Sequence, residues 1–494
     1  MTANGLEVSA AVDKVIDDQI TKPDPARGDG HCADRDHRIA RLLAAAFVLY
    51  GIVAAAFLVW NVPPFQVPDE PNHFLRAAQI ADGTLVGTPV TITGADGLPH
   101  SVAGGMVDPA ILDAAAKFAP LWFHSDAKTK RADWAPQIGW SNRRVAAAFP
   151  NTAMYPPFFY APSVVGILAG RAANLTVVQT LILSRALTAA SAIALGVLAI
   201  FLANGAAPWI FTILTLPMSL FLIASTSQDA LLISSGALAG ACLIRPVRWL
   251  SAQNGKLLAA LVVILSAMAM GRPPYLALAV TPLALSQPRL RWRIAAVLTI
   301  LVCGTAWAIV GARIAWLDYA VADMGTHPSV QLARLLAHPS LIAHVAVATL
   351  AQNWRFYFVS FVGELGWLDT PLPHLYDLTG IIIIIAAGAA MLGTDGKRMT
   401  LWSAFILAVG LSTAVGGVFA IQYLIGTGQT QDIVAGVQGR YFLPLALVAT
   451  ALMPSLGSTP ASRLRKPLVL LVVAFPLVSL TIMMHAIVWR YYLE

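Results

Sequence analysis

The chain has 494 residues, 57% of them hydrophobic and only 12% charged. Soluble domains carry about a quarter charged residues, so a water-soluble body of this length could not cover its surface. That excludes an ordinary cytosolic enzyme, a disordered chain and a DNA-binding module. The net charge of +7 reads as positive-inside membrane topology and gives no reason to invoke nucleic acid. The three cysteines, Cys32, Cys242 and Cys303, do not suggest a disulfide framework.

In chain order, residues 1–38 are polar and mixed in charge and read as a disordered cytoplasmic tail. The first apolar run, about 42–60, follows Arg35, Arg38 and Arg41, a basic flank that holds the N-terminus inside. Residues 61–156 form a long polar segment that this topology places outside. Within it, 71–81 and 108–118 read as short amphipathic helices, the second with Asp108 as cap and Pro109 in the first turn. Apolar runs follow near 176–202, 207–225, 229–244, 256–270, 274–287, 293–316, 378–394, 400–421, 441–455 and 467–488. The run 156–172 is short and interrupted by prolines. If it does not cross, the basic loops Arg245/Arg248/Lys256, Arg289/Arg291/Arg293, Lys397/Arg398 and Arg463/Arg465/Lys466 all face the cytoplasm.

The expectation is therefore an all-α polytopic membrane protein with about 11 transmembrane helices (range 10–13), N-terminus inside and C-terminus outside. It divides into the tail 1–38, a membrane module 39–316 that includes the external loop 61–156, a second external block 317–377, and C-terminal helices 378–494. The second block holds an amphipathic stretch, 330–346, and the aromatic run Trp354-Arg355-Phe356-Tyr357-Phe358. Beyond residue 144 the acids are Asp229, Asp318, Asp323, Glu364, Asp369, Asp377, Asp395, Asp432 and Glu494. On this topology all but Asp395 fall outside, so any chemistry is external.

The sharpest local feature is Pro-Pro-Phe-Gln-Val-Pro-Asp-Glu-Pro-Asn-His-Phe (63–74), directly after the first span. Two adjacent carboxylates, Asp69 and Glu70, stand between prolines that restrict the backbone. One of them can act as general base toward a hydroxyl. The structural alternative is a helix start, with Asp69 as N-cap and Glu70 at the positive end of the helix dipole. Asp229 likewise reads as a binding residue or as the cap of the helix it precedes. Arg272 and Arg440 read as anion-binding or as interfacial side chains.

Asp69-Glu70, His73 and the following Arg76-to-Gly83 segment resemble the first external loop of the GT-C superfamily of membrane glycosyltransferases. Within it the chain is most similar to a bacterial multi-pass group with Pro-Asp-Glu-Pro-x-His, Gly-Trp-Leu-Asp-Thr-Pro and Gly-Arg-Tyr motifs. Here these are residues 68–73, 366–371 and 439–441. The resemblance implies a GT-C-like fold in the bacterial inner membrane with its active site facing the periplasm. It implies a polyprenyl phosphate sugar donor, an external glycan or lipid-linked acceptor, and inverting displacement. Asp69 would be the base, with Glu70 as its competitor. Arg272, Tyr275, Arg440 and Arg355 would hold the donor phosphate, and His73, Asp229, Glu364 and Asp369 would contact acceptor or cation. A divalent cation stays open, with Asp69, Glu70, His73 and Asp229 as its only candidate ligands. The alternatives are a flippase for lipid-linked glycans and a glycan polymerase. Carboxylates inside the spans would favour transport, whereas here they gather at span ends and in loops.

Overall fold

The computed structural model describes residues 25–93, 97–134, 138–244, 251–315, 328–392, 394, 399–428, 431–453 and 459–493. The long helix α1 (Pro25–Asn61) leads into a polar region. The tail expected over 1–38 thus gives way to helix at residue 25; residues 1–24 lie outside the described residues, as do Arg245, Arg248, Asp318, Asp323, Asp395, Lys397, Arg398 and Glu494.

The polar region starts with α2 (Glu70–Ala81), β1 (Thr88–Thr93), β2 (Pro99–Val107) and α3 (Pro109–Phe118), followed by β3 (Val145–Ala148). Asp108 caps α3 as expected, accepting from Ala110 N, and it also ties down Ser141 and Asn142. The three strands form an antiparallel sheet in the order β1-β2-β3, which the all-α expectation missed. The sheet rests on α2, where Gln79 Nε2 donates to Gly104 O.

The membrane body opens with α4 (Ala161–Ala172), which packs along α5 (Val177–Ala203). Gly166 and Gly170 let the two backbones approach, because a Cβ there would meet Ser184 and Thr180 at 2.6 and 2.5 Å. Twelve residues of helix extend about 18 Å, so α4 is too short to cross the hydrocarbon core. Thr176 and Gln179 form a capping box at the start of α5.

Next come α6 (Ala207–Leu214), α7 (Pro217–Ile223) and α8 (Asp229–Ile244). Then follow α9 (Ser251–Gly271), a 3-10 helix (Pro273–Ala284) and α10 (Leu290–Ala315). The remaining helices are α11 (Pro328–Ala337), α12 (Ser340–Val362), α13 (His374–Leu392), α14 (Leu401–Gly426), α15 (Leu443–Val448) and α16 (Thr459–Tyr492). Helix α8 is buried along nearly its whole length, with α5, α9 and α15 around it.

Among the described residues, six helical stretches are long and apolar enough to cross a membrane: Asp34–Asn61, Val177–Leu214, Leu290–Ile314, His374–Leu392, Leu401–Gly426 and Arg463–Tyr492. The pair α11 and α12, bent by 112°, makes a seventh if it is one broken span. The expected count of eleven took every apolar run except 156–172 as a crossing. The run 207–225 breaks at Leu216, held extended before Pro217. The run 274–287 forms a 3-10 helix containing Pro282, because prolines withhold backbone donors. Asp229–Ile244, Gly255–Gly271 and Gly439–Leu452 are shorter apolar helices. The amphipathic stretch over 330–346 is not continuous either, since α11 ends before Pro339.

The two ends of the body carry different charge networks. At one end, Asp36 near the start of α1 pairs with Arg465 at the start of α16. Asp36 and Thr394 also flank Gly205, which follows α5. The 25 helical rises from Asp36 to Asn61 run about 38 Å along α1 to the opposite end, where the candidate site lies.

Candidate functional site

The segment leaving α1 turns sharply. Phe65 and Asp69 both take left-handed backbone conformations, φ 64° and 61°. Each such residue is strained by about 1–2 kcal/mol, although Asp tolerates it better than Phe. The turn is held from outside: the Phe65 carbonyl accepts indole N–H bonds from Trp122 (3.2 Å) and Trp367 (3.1 Å). Trp367 is the tryptophan of the Gly-Trp-Leu-Asp-Thr-Pro segment, so two motifs 300 residues apart meet here. Asp369 of that segment accepts from Arg490 Nη2 at 2.7 Å, from Trp367 N and from Thr370 Oγ1. Its work is to fasten the turn to α16.

Asp69 occupies the N-cap position of α2 but makes no side-chain cap. Its carboxylate instead accepts from Arg440 Nη2 at 2.8 Å and from Asn151 Nδ2 at 2.9 Å. Glu70 goes the other way. Fully buried, it receives both Nε and Nη2 of the equally buried Arg185 and the Thr226 amide. Arg185 also donates to the carbonyls of Val62 and Pro63. Glu70 therefore locks α2 and the turn to α5 and to the link before α8, and it does not line the cavity that Asp69 lines.

The Ser-Thr-Ser-Gln link between α7 and α8 supplies the second half of the site. Asp229 opens α8 and accepts from Arg272 Nη2 at 2.7 Å, and Arg272 directly follows α9. Tyr441 lies between the two cations, with its ring centre 4.4 Å from the Arg272 guanidinium and 5.4 Å from that of Arg440. Tyr275 positions this ring rather than lining the cavity, since its hydroxyl donates to Tyr441 O at 2.6 Å. His73 joins the two halves. Its Nε2 meets Ser227 Oγ at 3.1 Å, its Nδ1 meets Tyr160 Oη at 2.7 Å, and Tyr155 stacks on its ring. Burial, opposed only in part by Asp69 and Asp229, pushes His73 down to about 4, so it is a neutral strut at ordinary pH.

Asp69, His73, Tyr155, Gln228, Asp229, Arg272, Arg440 and Tyr441 together enclose a cavity of about 20 Å³, room for about one water. The bonding is uneven. Asp229 and Arg440 are almost fully covered, whereas the Asp69 side chain is one-third exposed (33%). Arg272 Nη1, Arg440 Nε and Nη1, and Gln228 Oε1 are buried without a hydrogen-bond partner. Buried donors are nearly always paired, and two guanidinium groups with unpaired nitrogens at one cavity offer what an oxyanion would satisfy.

The other expected site residues lie elsewhere. Arg355 is exposed on α12 beside Asp377 and His374. Glu364 sits in a two-residue strand paired with Thr370–Pro371, its carboxyl raised by burial and by Asp377 and Asp369. Among the described residues, no group of three or more His, Cys, Asp or Glu side chains is arranged to hold a metal ion. The candidate ligand set does not assemble: arginines claim Asp69, Glu70 and Asp229 separately. The sequence reading also missed Arg185, Ser227, Gln228 and Tyr155. For Arg185 a signal existed, since it is the one charge in the apolar stretch 177–203.

A body of apolar helices, several long enough to span a bilayer, with its charge gathered at the ends, defines a polytopic α-helical membrane protein. More particularly, the chain belongs to the family described as predicted membrane protein (DUF2142), whose model matches residues 52–449 and so takes in Asp69, Asp229, Arg272 and Arg440. No curated protein and no solved structure matches the chain.

Proposed function

We propose that this protein is a bacterial inner-membrane glycosyltransferase of GT-C type, working on the periplasmic face with a polyprenyl phosphate sugar as donor. The observation that carries this reading is the single cavity lined by Asp69, Arg272 and Arg440, whose two guanidinium groups each keep nitrogens without a hydrogen-bond partner. Arg272 and Arg440 hold the donor phosphate. Asp69, the most exposed carboxylate of the site, takes the proton from an acceptor hydroxyl. The acceptor oxygen forms the new bond to the anomeric carbon, and the carbon–oxygen bond to phosphate breaks with its electron pair leaving on the lipid phosphate. The product leaves inverted, and one carboxylate suffices because the phosphate is already a good leaving group. His73 stays neutral and keeps the Asp69 helix in register with the Asp229 turn.

The periplasmic placement has its own support: Arg465 and the start of α1 share the opposite end, where positive-inside topology puts the basic loops. The test is release of free polyprenyl phosphate by the purified protein in nanodiscs, wild type against Asp69→Asn. General-base loss predicts a 10²–10⁴-fold lower rate. A wild-type rate in Asp69→Asn removes the base assignment. A wild type that releases nothing, yet moves lipid-linked glycans between leaflets, replaces transfer with transport.

A further inference from the structure

A second, larger space lies beside the first. Between α12 and the segment that follows α14 is an open cleft of about 410 Å³, within the usual range for small-molecule sites. Its walls include Asn353, Phe356 and Tyr357 on one side and Gln431, Asp432 and Val434 on the other. One wall offers an amide and two aromatic rings; the other offers an amide and a carboxylate that Arg334 also contacts at 3.3 Å. This is the set a sugar ring calls for: hydrogen-bonding groups for its hydroxyls and flat apolar faces for its C–H surface.

The cleft is fastened to the candidate site. Val437 is its last lining residue, and three residues of chain, at most about 10 Å, lead from it to Arg440. Gly439 lies flat against α12, where a Cβ would meet Tyr357 O at 2.0 Å and Phe361 N at 2.3 Å. The Gly439 amide donates to Ser360 Oγ at 2.8 Å. The wall that carries Phe356 and Tyr357 thus fixes the backbone that presents Arg440 to Asp69. The Asp69 cavity is itself far too small for a sugar.

We infer that this cleft is a saccharide subsite that holds the hydroxyl-bearing acceptor next to Arg440. Its acceptor role rests on the transferase reading; its affinity for sugar does not. Saturation-transfer NMR on the full chain in nanodiscs, with maltose, cellobiose, lactose, chitobiose and mannobiose as probes, tests it. Transfer to at least one disaccharide is expected, falling at least fivefold in Gln431→Ala and in Asn353→Ala. The Gln431 side chain is exposed, so its removal leaves folding intact, which thermal unfolding of both variants checks. Transfer to none of the five sugars, or transfer that survives both substitutions, overturns the assignment. Line broadening of inorganic phosphate in the ³¹P spectrum, lost in Arg440→Met, reads the phosphate site separately. Phosphate binding without sugar binding removes the cleft assignment alone, and sugar binding without phosphate binding removes the donor-site reading alone.

Discussion

Two neighbouring acids of one motif meet opposite kinds of arginine. Glu70 and Arg185 are both fully buried, and every nitrogen of Arg185 has a partner: Glu70 or the carbonyls of Val62 and Pro63. Asp69 and Arg440 form a pair that is open on both sides, with Asp69 one-third exposed and two Arg440 nitrogens unpartnered. A saturated ion pair fixes geometry and has nothing left to offer a ligand. An unsaturated one retains hydrogen-bonding capacity at a point the fold has already desolvated. The difference separates a residue that shapes the site from one that can act in it, although the two are adjacent in the chain.

The largest effects should split along this line. Asp69→Asn, whose amide oxygen can still accept from Arg440 at a partly exposed position, is expected to lower the unfolding temperature less than Glu70→Gln while losing transfer by the factor given above. Glu70→Gln leaves Arg185 as a buried, uncompensated charge, a loss of about 3–5 kcal/mol. It should appear as a much lower unfolding temperature in nanodiscs. If Glu70→Gln unfolds like wild type but is inactive, the roles of the two acids must be exchanged.

The next effect sharpens the comparison through His73, which couples the two halves. Its value of about 4 lies below the ordinary 6.5, so between those pH values the unfolded chain binds the extra proton. The stabilisation is complete above about pH 6.5 and is lost as pH falls through about 4, on the order of 3 kcal/mol in all. Unfolding temperature should therefore drop more between pH 7 and pH 4 in wild type than in His73→Gln. Equal drops would show that His73 is not held neutral by burial.

The smallest effect lies away from both pairs. Thr176→Ala removes the cap of α5 and should lower stability by about 1 kcal/mol without changing phosphate binding measured by ³¹P NMR. A change in phosphate binding would mean that α5, and Arg185 on it, sets the open pair as well as the closed one.

Much of the site was legible in the sequence because charge is scarce. With 12% charged residues, Asp69, Asp229, Arg272 and Arg440 could be singled out by position alone, and the structure brings all four to one cavity. Arg355 satisfied the same criterion and lies elsewhere, exposed beside Asp377, since position near a span end does not fix which way an arginine faces. The sheet was missed because β3, a four-residue Val-Ala-Ala-Ala segment, acquires its strand character from pairing with β2.

By itself the amino-acid sequence determined the solvent. An apolar, charge-poor chain has to bury its backbone polar groups in helices within a bilayer, and its few charges have to collect at the ends. Hydropathy could not distinguish a helix facing lipid from one enclosed by other helices, because both surroundings are equally apolar. Only the tertiary structure decided which runs are long continuous helices. It alone decided that Glu70 meets Arg185, 115 positions away, while Asp69 meets Arg440, 371 positions away. The physical reason is that partner choice depends on which helix ends converge. No local pattern around two adjacent carboxylates carries that information.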